Sequence, residues 1–222
     1  MCVEGIEIIP AENLRQVVDH LTGKAPIPPL KTVSYGQLLG ERVYSSDFIN
    51  VKGQSGAKRA LLIAAAGGHN VLMVGPPGSG KTLMARCMPS ILPDMTFEEA
   101  LITTRIHSVA GSVPEKGLLV ERPFRAPHHT ASHVSIVGGG MHALPGEISK
   151  AHNGVLFLDE LPEYRRDVLE ALRQPMEDGF VTVTRVAAQS TYPSEFMLIA
   201  SMNACPCGAL GSRTKQCRCT PL

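Results

Sequence analysis

Residues 75 to 82 read Gly-Pro-Pro-Gly-Ser-Gly-Lys-Thr, a complete G-x-x-x-x-G-K-[ST] phosphate-binding loop. Its three glycines, Gly75, Gly78 and Gly80, allow the backbone to wrap closely around an anion. The apolar run at 70–74 predicts a buried strand before the loop, and residues 83–88 predict a helix after it. The N-terminus of that helix would direct free N–H groups and a positive dipole end toward phosphates. The stretch therefore predicts a nucleoside triphosphatase.

We expect the whole loop to contact an ATP molecule. Lys81 would reach the β- and γ-phosphates, and the Thr82 hydroxyl would ligate Mg²⁺. A glycine-rich turn with an incidental Lys-Thr is the alternative, but the strand and the helix on either side argue against it. The predicted nucleotide-binding residues are Gly75, Pro76, Pro77, Gly78, Ser79, Gly80, Lys81, Thr82 and Leu83.

An acidic pair follows a second apolar run, Val155-Leu-Phe-Leu158. Asp159 and Glu160 would emerge at the carboxyl end of a central strand, where ligands bind in open α/β sheets. We expect Asp159 to hold Mg²⁺ through a water molecule and Glu160 to accept a proton from the attacking water. The alternative is an ordinary strand that ends in a solvated acidic turn.

A third apolar run covers residues 196–202 and ends in Asn203. From the tip of a neighbouring strand, this side chain could hydrogen-bond the γ-phosphate or the attacking water. Asparagine after a strand is also a common turn former, and that interpretation stays open.

The remaining pattern predicts an α/β fold of the P-loop NTPase type, with a mostly parallel sheet and helices on both faces. Helices are expected at 57–66, from the capping box at Thr96 to Ile106, and at 163–174. The alternating segment Phe180–Val186 predicts an exposed strand in an inserted β-hairpin. Before residue 30 the sequence predicts only a strand at 6–9 and a helix at 14–21, which cannot bury their own apolar faces.

Composition limits the classes of function. The chain has 222 residues, 44% of them hydrophobic, so it can bury a sizeable core. A net charge of +1 argues against wholesale electrostatic binding of nucleic acid, so such contacts would need a local patch. The longest apolar stretch, 60–66, is too short to span a bilayer, and the amino terminus has no leader pattern. We expect a cytoplasmic protein with no membrane partner.

Several motifs beyond the phosphate loop are those of a known family. The chain resembles the magnesium-chelatase-like AAA+ ATPases, of the ComM/YifB competence-protein type. The resemblance also rests on Val51–Gln54, Ala64–Asn70, Thr104–Ser108, Arg122–His129, Pro145–Ile148, Gly154–Glu160, Leu172–Pro175 and Met202-Asn203.

The resemblance implies roles and a function. It places Gly53 and Gln54 near the adenine, makes Asn203 the sensor 1 residue, and gives Lys81, Glu160 and Asn203 as the catalytic set. It implies an Mg²⁺-dependent ATPase that assembles into a hexameric ring and drives DNA remodelling, as in branch migration during natural transformation. Two alternatives stay open: an ATP-driven subunit that remodels a protein partner, as in chelatases, and a nucleotide-binding scaffold without significant hydrolysis.

The same resemblance divides the chain. Residues 1–30 resemble the tail of a Lon-protease-like domain, 31–50 are a linker, 51–204 are the AAA+ core, and 205–222 are a cysteine-rich segment that leads to a lid domain. The family's arginine finger and lid arginine come after residue 222. We therefore expect this polypeptide to bind ATP but to hydrolyse it weakly.

A basic cluster lies between residues 122 and 141. Arg122, Arg125, His128, His129 and His133 could contact DNA phosphates from an insertion that faces the pore of a ring. The alternative is that these side chains bond carbonyl groups within the subunit or its neighbour. A metal site at the three histidines is less favoured, because adjacent histidines rarely converge on one ion.

Four cysteines lie close together near the end of the sequence, as Cys205-Pro-Cys207 and Cys217-Arg-Cys219. Two pairs of thiols that face each other across a nine-residue loop could hold Zn²⁺ in tetrahedral sulfur coordination. The C-x-C spacing is tighter than the usual C-x-x-C. Disulfides are not expected in a reducing cytosol, so the alternative is a set of free thiols.

Overall fold

The computed structural model describes residues 6–31, 33–112, 117–185, 188–210 and 215–219. The chain divides into two compact units, Met1–Arg42 and Val43–Leu222. The division falls inside the stretch 31–50 that was expected to be a linker.

The first unit contains two helices in its described part, α1 (Leu14–Leu21) and α2 (Tyr35–Gly40). The expected helix at 14–21 is confirmed, and none of its residues is buried. The expected strand at 6–9 is wrong. This segment pairs with no strand among the described residues, and its Ile8 carbonyl accepts a hydrogen bond from Leu30 N at 2.8 Å. An isolated extended segment has no ladder to join, so alternating apolar residues are not enough to make a strand.

The second unit carries the phosphate loop. None of the described helices, in either unit, is both long and apolar enough to cross a membrane. Short 3₁₀ segments lie at Phe48–Asn50, Met88–Ser90 and Leu161–Glu163. The helices and strands are α3 (Ser55–Gly67), β1 (Val71–Val74), α4 (Lys81–Arg86), α5 (Phe97–Val109), β2 (Phe124–Arg125), α6 (His133–Val137), β3 (Gly138–Gly139), β4 (Leu144–Pro145), α7 (Glu147–Lys150), β5 (Val155–Leu158), α8 (Arg166–Ala171), α9 (Arg173–Asp178), β6 (Phe180–Arg185), β7 (Ala188–Pro193) and β8 (Met197–Met202).

The main sheet has the strand order β1-β8-β5-β2 in the described residues, and each neighbouring pair is parallel. Ile199 of β8 is in register with Val71 on one side and with Phe157 on the other. The expected parallel sheet is therefore confirmed. Strand β2 was not predicted, because its two residues lie between Pro123 and Pro127 and give no apolar run of their own.

Both faces of the sheet are covered, as the α/β prediction requires. Alternate residues of β5 enter different cores: Val155 and Phe157 pack with α3 and α4, whereas Leu156 and Leu158 pack with α6, α8 and the hairpin. The alternation follows from the period of two along a strand. Because both sets are buried, β5 appears in the sequence as a continuous apolar run.

Strand β1 is less buried than its sequence predicts. Leu72 and Val74 are 52% and 53% exposed, because β1 is an edge strand in the described sheet and only its other face is packed. Val71 and Met73 on that face pack against the core that contains α3 and α4.

The prediction of one continuous helix at 163–174 is wrong. The helix is replaced by a 3₁₀ segment that starts at Leu161, by α8, and by α9, which extends to Asp178. Pro175 accounts for the break before α9, since its ring has no N–H to donate and clashes with the carbonyl four residues earlier. Pro89 similarly limits the helix expected at 83–88, and α4 ends at Arg86.

The predicted hairpin is confirmed. Strands β6 and β7 pair antiparallel, with Val181 opposite Tyr192 and Val183 opposite Ser190. The strand is not fully exposed, because Val181 and Val183 are each only 4% exposed and join the second core.

Gly154 offers a sharp test of the packing between β2 and β5. A Cβ atom placed there would lie 2.1 Å from the carbonyl oxygen of Pro123, whose acceptor role toward Val155 N fixes the start of β5. We expect Gly154→Ala to lower the free energy of unfolding by about 3 kcal/mol, because backbone must shift to relieve the overlap. Urea denaturation followed by circular dichroism measures this. Gly56→Ala in α3, where a Cβ meets nothing within 4 Å, is the matched control and is expected to be neutral or slightly stabilising.

Two buried histidines predict a loss of stability in mild acid. Burial lowers the pKa of both His107 and His152 below the ordinary value of 6.5. His152 Nδ1 accepts a hydrogen bond from Glu195 N at 3.1 Å, and that bond requires an unprotonated nitrogen. The unfolded chain therefore binds protons that the folded chain does not, so stability is complete above pH 6.5 and falls as pH drops through the lowered values.

The measurement is the urea midpoint between about pH 8 and pH 5.5. The midpoint is expected to fall with pH, and His152→Gln is expected to flatten part of that slope. Exposed His133→Gln is the control and should leave the slope as it is. A midpoint that rises toward acid would contradict the assignment.

Candidate nucleotide site

The phosphate loop connects the end of β1 to the start of α4. Gly75 N donates to the carbonyl of Met202 at 3.2 Å, so the loop begins by extending the pairing of β1 with β8. Gly78 and Gly80 have φ values of 76° and 87°. Residues with a Cβ atom rarely adopt this left-handed backbone conformation, which explains why glycine occupies both positions.

The Lys81 ammonium folds back over its own loop. Nζ donates to the carbonyl oxygens of Gly75 at 2.7 Å and of Pro76 at 3.0 Å. These contacts hold the charge against the loop, and Lys81 also lines the cavity described below.

The two residues expected to bind magnesium touch each other. Thr82 Oγ1 donates to Asp159 Oδ2 at 2.8 Å, although the two residues are 77 positions apart. Asp159 Oδ1 accepts from the Ser201 hydroxyl and from Glu160 N at 3.2 Å. The sequence had not identified Ser201. The sequence signal for Ser201 is that it is a polar residue inside an apolar run. In the structure the residue is fully buried.

Glu160 has an unusual backbone. Its φ of 56° and ψ of 51° lie in the left-handed region, which non-glycine residues adopt seldom and most often at functional sites. The side chain is 58% exposed and lines the cavity described below. His129 Nδ1 lies 3.8 Å from Glu160 Oε2, a neighbour that the sequence had assigned to DNA contact instead.

His129 is held in place by an aromatic neighbourhood. Its ring lies 4.1 Å from that of His128 and meets the ring of Tyr164 edge-on at 6.4 Å. The Tyr164 hydroxyl donates to the Pro127 carbonyl. Burial, and then the charge of Asp159, raises the pKa of Tyr164 to about 12, so this hydroxyl stays protonated and remains a donor.

A cavity of about 380 Å³ lies between the phosphate loop, the acidic pair and the tip of β8. It is lined by residues 77–83, by Asp159 and Glu160, and by residues 201–203. Asn203 is thus at the tip of β8, beside the loop and the acidic pair. The segment before α3 also reaches the loop, because Gln54 Nε2 donates to the carbonyl of Ser79 at 3.3 Å. Gly53 precedes it with a φ of 68°.

The two arginines of the basic cluster have partners within the chain. Arg122 donates to the carbonyls of Pro93 at 2.6 Å and Asn153 at 2.7 Å. Arg125 forms a two-pronged pair with Glu147, at 2.6 and 2.9 Å. Burial raises the pKa of Glu147, but the bonds and charge of Arg125 outweigh it and the net shift is downward. Both arginines therefore follow the alternative given above, in which the basic side chains bond groups within the subunit.

The four cysteines near the end of the chain converge. Their Sγ atoms all lie within 4.8 Å of one another. In the ranges that the structure describes, they are the one group of three or more His, Cys, Asp or Glu side chains close enough to share a metal ion, and His128, His129 and His133 belong to no such group.

The sequence is similar to those of a known protein family and of several bacterial proteins. A family model described as "Magnesium chelatase, subunit ChlI" matches residues 47–222. The chain is 44% identical over 222 residues to the "Uncharacterized protein YifB" of Escherichia coli, with 99% of this chain and 42% of that protein covered. It is 46% identical over 199 residues to the "Competence protein ComM" of Haemophilus influenzae, with 89% and 39% covered. The chain thus spans about two fifths of the length of these relatives.

The fold of the chain is similar to that of a magnesium chelatase subunit. The complex between subunits BchI and BchD of magnesium chelatase matches with a TM-score of 0.55 at 22% identity, over 72% of this chain and 56% of that chain. The parallel sheet, its flanking helices and the phosphate loop form the P-loop core of AAA+ ATPases, as expected. The chain belongs to the magnesium chelatase ChlI-subunit family, and over most of its length it is similar to YifB and ComM.

Proposed function

We propose that this chain binds ATP with Mg²⁺ in the cavity between the phosphate loop and the tips of β5 and β8, and that it hydrolyses the γ-phosphate. The contact between Thr82 and Asp159 carries the proposal. A hydroxyl and a carboxylate that meet at the N-terminus of α4 are oxygen ligands of the kind that Mg²⁺ takes beside nucleotide phosphates.

Each residue predicted for the nucleotide site has a role in this proposal. The loop N–H groups and Lys81 bind the phosphates, while Thr82 and Asp159 hold the metal directly or through water. Glu160 accepts the proton of the attacking water, and Asn203 orients that water or the γ-phosphate. Bound Mg²⁺ would neutralise charge that develops on the phosphate oxygens. Gly53 and Gln54 are assigned to the adenine side, which the bond from Gln54 to the loop supports.

A thermal-shift series tests the nucleotide part. Because the loop recognises phosphates, Mg·ATP is expected to raise the unfolding temperature more than Mg·AMP does. Equal shifts with the two nucleotides, or none with either, would contradict the proposal.

For the activity that hydrolysis drives, we propose DNA remodelling by a ring of subunits, with branch migration as the reaction. The relative named as a competence protein supports this choice. The complex between the BchI and BchD subunits supports assembly with other subunits, and its place in magnesium chelatase supports the alternative of a chelatase-like subunit. With Arg122 and Arg125 bonded internally, DNA contact falls to the exposed His128 and His133 and to the partly exposed His129.

A labelled branched junction separates these candidates. Migration of the branch that needs ATP and stops with ADP supports the DNA motor. Stimulated ATP turnover by a protein partner, with no effect of any junction on either migration or turnover, supports the remodelling subunit. ATP binding with no turnover under either condition supports a scaffold.

A further inference from the structure

We propose that Cys205, Cys207, Cys217 and Cys219 bind one structural Zn²⁺, and that this ion closes the segment after β8 onto the phosphate loop. The segment lies outside the site described above, and none of the roles assigned so far uses its thiols.

The sulfur geometry fits a metal. In a tetrahedral site with zinc–sulfur bonds of about 2.3 Å, neighbouring sulfur atoms lie about 3.8 Å apart. Cys207 Sγ lies 3.7 Å from Cys217 Sγ, which lies 3.7 Å from Cys205 Sγ. Cys205 and Cys207 are 3.4 Å apart, far beyond the length of about 2.05 Å for a disulfide. Three sulfur atoms thus already form one face of a tetrahedron, with Cys219 within 4.8 Å of each.

The backbone of the first pair is shaped to present both thiols on one side. Gly208 N donates to the Cys205 carbonyl at 2.9 Å, which closes a tight turn over Pro206, and Gly208 has a left-handed φ of 70°. Leu210 N donates to Cys205 Sγ at 3.3 Å. Backbone N–H groups that point at sulfur stabilise a thiolate, the form that binds a metal.

The donor set selects the ion. Four thiolates with no open position are typical of a structural rather than a catalytic zinc site. Four thiolates and one Zn²⁺ carry a net charge of −2, and the sequence places Lys215 and Arg218 within and beside the second pair. The sulfur atoms converge although the pairs are separated by nine residues, so a metal would remove a repulsion that four free thiolates would create.

The site lies against the nucleotide site. A Cβ placed at Gly208 would be 3.1 Å from Cγ of Pro77 in the phosphate loop and 4.0 Å from Nδ2 of Asn203. Asn203 precedes Cys205 by only two residues. The metal would therefore fix both the tip of β8 and one wall of the phosphate loop. This coupling rests on the proposed ATP binding, whereas the metal site itself does not.

Elemental analysis of the purified chain tests the metal site. We expect one zinc per chain after gel filtration in the presence of a weak chelator, and loss of that zinc in Cys217→Ser/Cys219→Ser. Cys87→Ala, which removes a buried thiol that is not one of the four, is the control and should keep the metal. Iron in place of zinc, or zinc retained by the double variant, would overturn the assignment.

Cobalt gives a readout that does not depend on the variant folding. Metal-stripped parent chain titrated with Co²⁺ should develop a thiolate-to-cobalt charge-transfer band and the visible bands of tetrahedral Co²⁺, saturating at one ion per chain. Saturation without those bands would overturn the four-sulfur site.

The coupling has its own measurement, the affinity for Mg·ATP before and after metal removal. We expect zinc loss to weaken binding at least about fivefold. Unchanged affinity in a chain that has lost its zinc would overturn the coupling alone. A zinc-loaded chain that binds no Mg·ATP would contradict the proposed function and leave the metal site standing.

Discussion

Glu160→Gln is expected to slow the release of phosphate by about 10²- to 10³-fold while the affinity for Mg·ATP stays the same. The amide has the size and shape of the carboxylate but cannot accept a proton from water. Glu160 lies on the wall of the cavity, and its carboxylate lies 3.8 Å from His129 Nδ1. The bond that Glu160 makes to Asp159 comes from its backbone N–H, which the substitution does not change. Removal of the carboxylate therefore leaves the metal and phosphate contacts in place.

A single-turnover assay with protein in excess over ATP measures this effect even where the parent rate is slow. Glu163→Gln is the matched control, because Glu163 is an exposed glutamate three residues further along that does not line the cavity. Equal, measurable rates for the parent and Glu160→Gln would show that Glu160 is not the base, and binding of ATP with no phosphate release by either protein would favour a nucleotide-binding scaffold.

Lys81→Ala is expected to lower the affinity for Mg·ATP by about 10²-fold or more. A hydrogen bond to a charged group contributes about 1.5–3 kcal/mol, and the ammonium would make such bonds to both the β- and the γ-phosphate. Among the residues that the structure describes, the ammonium bonds the carbonyls of Gly75 and Pro76 in its own loop. Stability should therefore change little, and the loss should be specific to the nucleotide.

Competition against a fluorescent ATP analogue measures the loss. Arg166→Ala is the control, since Arg166 is an exposed cation in the same unit that does not line the cavity. An affinity that falls equally in both variants would reveal a nonspecific charge effect, and an unchanged affinity in Lys81→Ala would place the phosphates elsewhere.

The local parts of the site were predictable from sequence because their residue types follow from backbone requirements. The left-handed conformations at Gly78 and Gly80 need glycine, so the phosphate loop leaves a readable pattern. Asp159 was identifiable because it ends a strand whose two buried faces give an uninterrupted apolar run.

The contacts that were missed depend on which strands become neighbours. Ser201 reaches Asp159 only because β8 lies beside β5, and His129 reaches Glu160 only through the loop that follows β2. No spacing in the sequence encodes either pairing. The two arginines were likewise assigned to an external partner because their internal acceptors, backbone carbonyls for Arg122 and Glu147 for Arg125, lie more than 20 positions away.

Errors in the fold have similar origins. One helix was expected at 163–174, but α8 ends at Ala171, because the ring of Pro175 clashes with the carbonyl four residues earlier. Leu72 and Val74 carry the residue types of a buried strand and are nevertheless exposed, because burial depends on the position of β1 at the edge of the described sheet.

Calorimetric titration of the purified chain with ATP, once with Mg²⁺ and once with a chelator, tests the central claim most directly. The Thr82 and Asp159 pair at the foot of the phosphate loop predicts one site per chain, with binding weakened by about tenfold or more, or 1.4 kcal/mol, when Mg²⁺ is removed. No saturable binding, or the same affinity with and without Mg²⁺, would contradict the assignment of this cavity as an Mg·ATP site.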